Sequence, residues 1–371
     1  QFEALEDLDQ YLINKKKRVN SLDEILDRSQ TQKVSFASTE GVELPQKNQL
    51  EPVLSNKRSL DLSLTTSLPL RTDCWTLPKS LIDQDLLVYV LPLPLRAADL
   101  LWLEKVPEDQ PSWVMVSWND SNSWVEQQKD LQAQLPHRWS SRILRWNGSY
   151  EEIATVLSPI RRVLDQPKIN LDLTKRRLLS LLHSDWQADL EKLRRERFRS
   201  IQNRSQWIVA GAGFASPVPT TDLLSVAVVN GLMIQEMASI WSCKMKPEML
   251  RMVARQLACA AVAQGVVEWS GHALLGVAKL HGGGWVAAGS MQALSAAYLT
   301  RVVGRSMADW MALNNGVLEP DLELLNHQAS QLVSKAAENE RLDWLGFLNQ
   351  GKSWIDDQLK DAHFSTKMLD V

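Results

Sequence analysis

The 371 residues carry 41 Lys and Arg against 44 Asp and Glu, a formal charge of −3 at pH 7, with 44% hydrophobic and 23% charged residues. That length and aliphatic content suit two ordinary domains and exclude disorder throughout, and the near-balanced charge leaves no global field to favour nucleic acid. The three cysteines, Cys74, Cys243 and Cys259, show no Cys-x-x-Cys pair and no His at ligand spacing, which excludes a disulfide framework and a zinc site and fits a reducing compartment.

No charged-then-apolar leader opens the chain, and Gln1 stands where Met is expected, so a missing or processed start is anticipated. Residues 1–30 read as a helical arm, with Leu5, Leu8 and Leu12 near helical spacing ahead of Lys15, Lys16, Lys17 and Arg18. From Lys33 to Asn147 short apolar runs alternate with polar turns, the pattern of buried parallel strands between helices, so 31–150 is expected to form an α/β domain. Leu86 to Leu91 is the best strand and Trp113 to Val116 the second; Leu100, Leu101 and Leu103 lie at helical spacing between them, making Asp85 to Asp120 one βαβ unit.

Residues 151–206 form a charged helical connector ending in Lys192, Arg194, Arg195, Arg197 and Arg199, either a solvated face or a basic collar beside a membrane. The chemistry then inverts. Over 207–320 small residues abound, with Asp222 and Glu236 the only acids from Trp207 to Trp241 and Glu268 and Lys279 the only ionised groups from Gln256 to Leu299. Gly284-x-x-x-Ala288 and Ala293-x-x-x-Ala297 permit close helix packing in a bilayer or in a soluble bundle. Leu223 to Ile240, Leu257 to Leu275 and Gly282 to Val303 each approach the roughly 20 residues of a membrane span. Glu236 or Glu268 at mid-depth would cost about 2.5–3.5 kcal/mol. Residues 321–371 read as an amphipathic helical tail, with Leu342, Leu345 and Leu348 beside Trp344, Phe347 and Trp354. Tryptophan numbers 15, and Trp102, Trp118 and Trp124 mark a possible partner surface on the α/β half, with core packing as the plainer role for each.

Gly346 to Ser353 matches the Gly-x-x-x-x-Gly-Lys-Ser pattern of a P-loop, but Asn339 to Trp344 before it is no buried strand and too little chain follows for the rest of a nucleotide site. At the first strand, where a P-loop belongs, the chain reads Val34-Ser-Phe-Ala-Ser-Thr-Glu40-Gly41-Val-Glu43-Leu-Pro45. Gly41 is the sole glycine before Gly148, no Lys lies in the loop, and two acids stand where phosphates would sit. Lys47 lies just beyond. His137, His183, His272, His281, His327 and His363 are scattered, with no His-Glu-x-x-His and no Gly-x-Ser-x-Gly, so no catalytic constellation and no metal site is expected.

In its second half the chain resembles proteins in which an Era-like GTPase is fused to a C-terminal YcjF-like domain of unknown function, a cyanobacterial type. The resemblance rests on Phe214-Ala-Ser-Pro217-Val-Pro219-Thr-Thr-Asp222, on Gly289-Ser-Met-Gln292 through Tyr298, Thr300, Arg301, Gly304 and Arg305, and on Leu342-Asp-Trp-Leu-Gly346-Phe-Leu. It implies a degenerate P-loop GTPase-like parallel sheet followed by an all-α helical domain. The Asp-Thr-Pro-Gly switch then falls on Thr76-Leu77-Pro78-Lys79, keeping only Pro78, and Asn-Lys-x-Asp falls on Ser117-Trp118-Asn119-Asp120, keeping only Asp120. The resemblance with these lost motifs implies a pseudo-GTPase with no cofactor that binds a protein partner, and the basic collar followed by small-residue helices leads to the expectation of a membrane, with the G-like domain on the cytoplasmic side. The alternatives are a GTP-binding protein with an atypical site around Lys47, Pro78 and Asp120, and a soluble helical scaffold. Neither partner nor oligomeric state is readable.

Overall fold

A computed structural model describes the chain apart from residues 30, 56–58, 118–123, 216–218, 281–287, 316–321 and 370–371. The elements in order are α1 (Phe2–Leu5), α2 (Leu8–Leu26), β1 (Gln32–Thr39), α3 (Lys47–Leu54), β2 (Leu60–Leu68), α4 (Lys79–Ile82), β3 (Leu86–Leu91), α5 (Ala97–Lys105), β4 (Ser112–Ser117), α6 (Trp124–Gln134), β5 (Ile143–Trp146), α7 (Tyr150–Val156), α8 (Ser158–Leu164), α9 (Pro167–Ala215), α10 (Pro219–Ile240), α11 (Pro247–Ala263), α12 (Val266–Leu280), α13 (Ala288–Leu313), α14 (Leu322–Leu342) and α15 (Trp344–Leu369). They fall into two compact units, Leu12–Trp186 and a second made of Gln1–Tyr11 with Gln187–Val371. Residues 1–30 and 151–206, read from the sequence as an arm and a connector, are thus each divided between the two.

The first unit is a parallel sheet in the order β2-β1-β3-β4-β5. Successive side chains of a strand point to opposite faces, so the wholly buried β3 feeds two cores. Leu86, Val88 and Val90 pack with Val34, Phe36, Met115, Ile153 and Ile160 on one face. Leu87, Tyr89 and Leu91 pack with Trp102, Leu103, Leu131 and Trp139 on the other. This is the expected α/β architecture, helices covering both faces of a parallel sheet. The βαβ unit read at Asp85 to Asp120 is present as β3-α5-β4. Trp102 belongs to the core, 2% exposed, its indole N–H donating to Pro69 O at 3.0 Å and its ring 4.9 Å from Trp75.

Two arginines fix the turn that leads into β3. Arg28, after α2, donates to Asp83 Oδ1 at 2.6 Å and to the buried Asp85 at 3.3 Å. Arg177, 3% exposed on the opening stretch of α9, donates to Ile82 O at 3.2 Å and to Gln84 O at 2.7 Å. Burial lowers the Arg177 pKa below the usual arginine range, and Asp109 and Asp85 work against that fall.

The second unit is all helical, with one core running through Phe198, Met233, Trp241, Leu257, Leu294, Tyr298, Val333 and Phe347. Within it, the expected span Leu257 to Leu275 is not one helix. Gln264 caps α11, and Gly265 takes φ +69°, its N–H donating to Val262 O at 2.9 Å before α12 begins. Only glycine enters that left-handed conformation without strain. Among the described residues no helix is long and apolar enough to cross a membrane.

Replacing Arg28 by Ala leaves Asp85 buried without its cation. The sheet unit should lose about 3 kcal/mol, read as a lower urea midpoint together with faster amide exchange in β3.

Candidate functional site

Strand order reverses beside β1, since β2 lies on one side of it and β3 on the other. In open α/β sheets the crevice outside the carboxyl ends of such strands is where ligands bind, so the ends of β1 and β3 are the place to look. The buried Thr39 closes β1, and its hydroxyl donates to Asp99 Oδ1 at 2.8 Å. Tyr89, on β3, donates to the same oxygen at 2.9 Å. Asp99 is fully buried in the first turn of α5, where the helix dipole favours negative charge. Burial first, and then the charge and hydrogen bond of Asp99, push the Tyr89 phenol well above its ordinary value, so it remains a donor. Arg96, the N-cap of α5, donates to Glu40 O at 2.8 Å across the mouth of this crevice.

A phosphate needs free backbone N–H groups here. The Glu40 N–H donates to Leu68 O at 3.2 Å, and the Val42 N–H to Thr39 O at 3.4 Å. At the N-terminus of α3, where a P-loop helix would start, a capping box takes up the Gln46 and Gln49 N–H groups. The Gln46 side chain accepts from the Gln49 N–H, and the Gln49 side chain accepts from the Gln46 N–H. Lys47 pairs with Glu51 at 3.5 Å on an exposed face. Pro78 is the N-cap of the four-residue α4, its carbonyl accepting from Leu81 at 2.9 Å and Ile82 at 3.2 Å. Asp120, Trp118 and Asn119 lie outside the described residues. Among the described residues no three His, Cys, Asp or Glu side chains group as metal ligands.

The helical unit gathers several of the motif residues read from the sequence. Tyr298 is 1% exposed, its ring 5.4 Å from Trp269, 5.3 Å from Trp344 and 5.6 Å from Phe347. Burial raises its phenol pKa, as does the charge of Glu340, while Arg341 and Arg301 oppose the rise. Thr300 is fully buried. Gly304 lets α13 close on α10, since a Cβ there would lie 3.2 Å from Met233 Cε. Gln292 is exposed on α13; Pro219 opens α10 with Asp222 in the following turn, and Pro217 lies outside the described residues.

One buried network was not singled out in the sequence. Arg301 donates to Glu340 at 2.7 Å and to Asp343 at 2.7 Å, and Arg305 to Glu340 at 3.0 Å. The signal was an arginine among the apolar residues of α13, but its acids lie on another helix and beyond. The Gly346 to Ser353 string is helix. A Cβ on Gly346 would sit 2.5 Å from Asp343 Oδ1, and one on Gly351 would sit 2.8 Å from Leu294 Cδ2. Gly351 therefore answers to packing against α13, while the contact at Gly346 is local, with the Asp343 carboxylate.

Of the basic run on α9 only Arg194 is buried, with Arg195 half-buried and Lys192, Arg197, Arg199 and Arg204 exposed, yet several of these arginines have partners. Arg194 donates to Gln1 at 3.0 Å, Arg195 pairs with Glu191 and Asp309 at 2.6 Å each, Arg197 donates to Leu5 O at 3.1 Å, and Arg204 pairs with Glu236. Glu236, weighed earlier as a lone charge at mid-depth, thus has its counter-ion.

Residues 178–338 match the family model described as a domain of unknown function (DUF697), a domain that YcjF-like proteins carry. The match covers less than half of the chain and lies in the half on which the sequence resemblance was strongest. No curated protein and no solved structure matches the chain.

Gly351→Val drives a branched side chain into the fully buried Leu294. The helical unit should lose about 2 kcal/mol in chemical denaturation, whereas Lys352→Ala should leave stability unchanged.

Proposed function

We propose that this chain is a pseudo-GTPase: a binding protein of Era-like descent that keeps the parallel sheet, does not hydrolyse nucleotide and works through a protein partner at a membrane. The observation that carries the reading is that the Glu40, Val42, Gln46 and Gln49 amides between β1 and α3 are already paired inside the fold. An N–H already paired inside the fold gives a phosphate nothing without first breaking that bond, and the reciprocal Gln46–Gln49 box removes two donors at the helix start. The loss of the switch carboxylate and glycine around Pro78 points the same way, since Mg²⁺ and the γ-phosphate both need partners there. The cyanobacterial or plastid setting follows from the resemblance described above, and the cytoplasmic side for the sheet unit from the basic collar Lys192 to Arg204.

A specific observation also favours a second reading, a helical scaffold that works in water. Arg194, Arg195, Arg197 and Arg204 each meet an acceptor within their own unit. Glu191, Asp309 and Glu236 thus offset part of the charge of the run without anionic lipid. Flotation with vesicles separates the two readings: protein that floats with anionic lipid supports membrane docking, and protein that stays at the bottom at low and high salt supports the scaffold.

Isothermal titration of the full chain with GTP and with ATP, each with magnesium, should give a flat trace up to millimolar nucleotide. One-to-one heat that is lost in Asp120→Ala would overturn the pseudo-GTPase reading and place a rebuilt site near Lys47, Pro78 and Asp120.

A further inference from the structure

We propose that the exposed seam of α2 between Leu12 and Leu26 is a docking surface for a second copy of this chain, the two helices pairing antiparallel and offset by one heptad. The inference goes beyond the nucleotide reading and does not depend on it.

Every residue of α2 is described, and none is buried. A helix in a folded protein draws most of its stability from packing an apolar face, yet α2 turns a different face to its own chain. Asn14, Arg18, Ser21, Leu22 and Ile25 are half-buried, whereas Leu12 is 54%, Val19 45% and Leu26 48% exposed. One exposed leucine is ordinary; a row of apolar residues in register is not. Leu12, Lys15, Val19, Leu22 and Leu26 follow one another at steps of three, four, three and four. That is the spacing of a helix that packs against another helix along its length.

Charge identifies the occupant. Lys16 and Asp23 flank the seam on one side, seven residues apart, both exposed and neither in an ion pair among the described residues. Lys17 and Glu24 lie about 100° further round the helix, away from the seam, and Lys15 and Arg18 already interact within the chain. An anionic lipid surface attracts Lys16 but repels Asp23. A parallel pair in register stacks Lys15 on the partner's Lys15, and an antiparallel pair centred on the helix sets Lys16 against the partner's Lys16. Both arrangements juxtapose like charges. Offset by one heptad, the antiparallel pair sets Lys16 against the partner's Asp23 and Asp23 against the partner's Lys16. Val19 then meets the partner's Leu22, and Lys15 lays its aliphatic stem along the partner's Leu26. Each contact is made twice, as a two-fold interface requires.

The test is sedimentation velocity of the full chain over a range of concentrations. A dimer in exchange with monomer is expected, and a weak one, because a single helix pair buries little area. Lys16→Asp and Asp23→Lys, each alone, should weaken it by about tenfold or more. Mixing these two variants should restore it, since every flanking pair is then again one acid and one base. Val19→Asp should abolish it. All three positions are exposed, so each variant should keep its fold, which an unchanged urea midpoint verifies. The proposal is overturned by a chain that stays monomeric up to its solubility limit, by a dimer that Val19→Asp leaves intact, or by a mixture no tighter than either variant alone. A monomer that floats with anionic vesicles, and no longer floats as Val19→Asp, also overturns it and assigns the seam to lipid.

Discussion

Buried charge that must find a partner organises both units of this chain. A guanidinium withdrawn from water loses its hydration and holds only where carbonyls or carboxylates replace it. In the sheet unit, Arg28 and Arg177 meet this condition on the turn Ile82 to Asp85, so the route into β3 is fixed by groups distant in sequence. Since β3 contributes to both hydrophobic faces, the register of the whole sheet follows from where that turn is held. In the helical unit Arg301 has the same part, joining α13 to Glu340 near the end of α14 and to Asp343 just before α15. Loss of either partner in such a pair leaves an uncompensated charge inside, so these contacts narrow the ways in which the helices can pack.

The same rule accounts for the state of the β1–β3 crevice. A doubly wound sheet offers a place for a ligand by topology alone, but its use depends on which donors remain open. Here the hydroxyls of Thr39 and Tyr89 converge on Asp99, and Arg96 ties the loop after β1 to the start of α5. The crevice has become a joint between strands and helices. Hydrogen bonds that tie the ends of β1 and β3 to α5 make that end of the sheet rigid.

Much of the fold was legible because it depends on local pattern. The continuous apolar run Leu86 to Leu91 can only be satisfied by burial on both faces, and the Leu100 to Leu103 spacing gave its helix. The edge strand β2 was less visible, since Ser63, Thr65 and Ser67 interrupt its leucines, and β5 is only four residues long. Composition also concealed the break at Gly265: an apolar count treats glycine as permissive, while the backbone uses it to reverse direction. The site was less legible still. The capping box needs only Gln46 and Gln49, three residues apart, yet glutamine is a weak capping signal. The partners of Arg195 and Arg301 lie on other elements, so the ion pairs of a basic run cannot be read from the run itself.

The glycines of α15 carry a consequence of another kind. In a phosphate-binding loop the two glycines separated by four residues turn their backbones toward one point. On a helix, where each residue advances about 100° around the axis, a five-residue step sets them roughly 140° apart. Gly346 therefore faces Asp343 while Gly351 faces Leu294 and Trp207. To convert this string into a cradle, α15 would have to unwind at the place where it seals the core, uncovering Leu294 and the stacked rings of Trp207 and Phe347. The resemblance of letters thus marks a position that is structurally committed against phosphate, and Gly351 there records how closely α15 approaches α13.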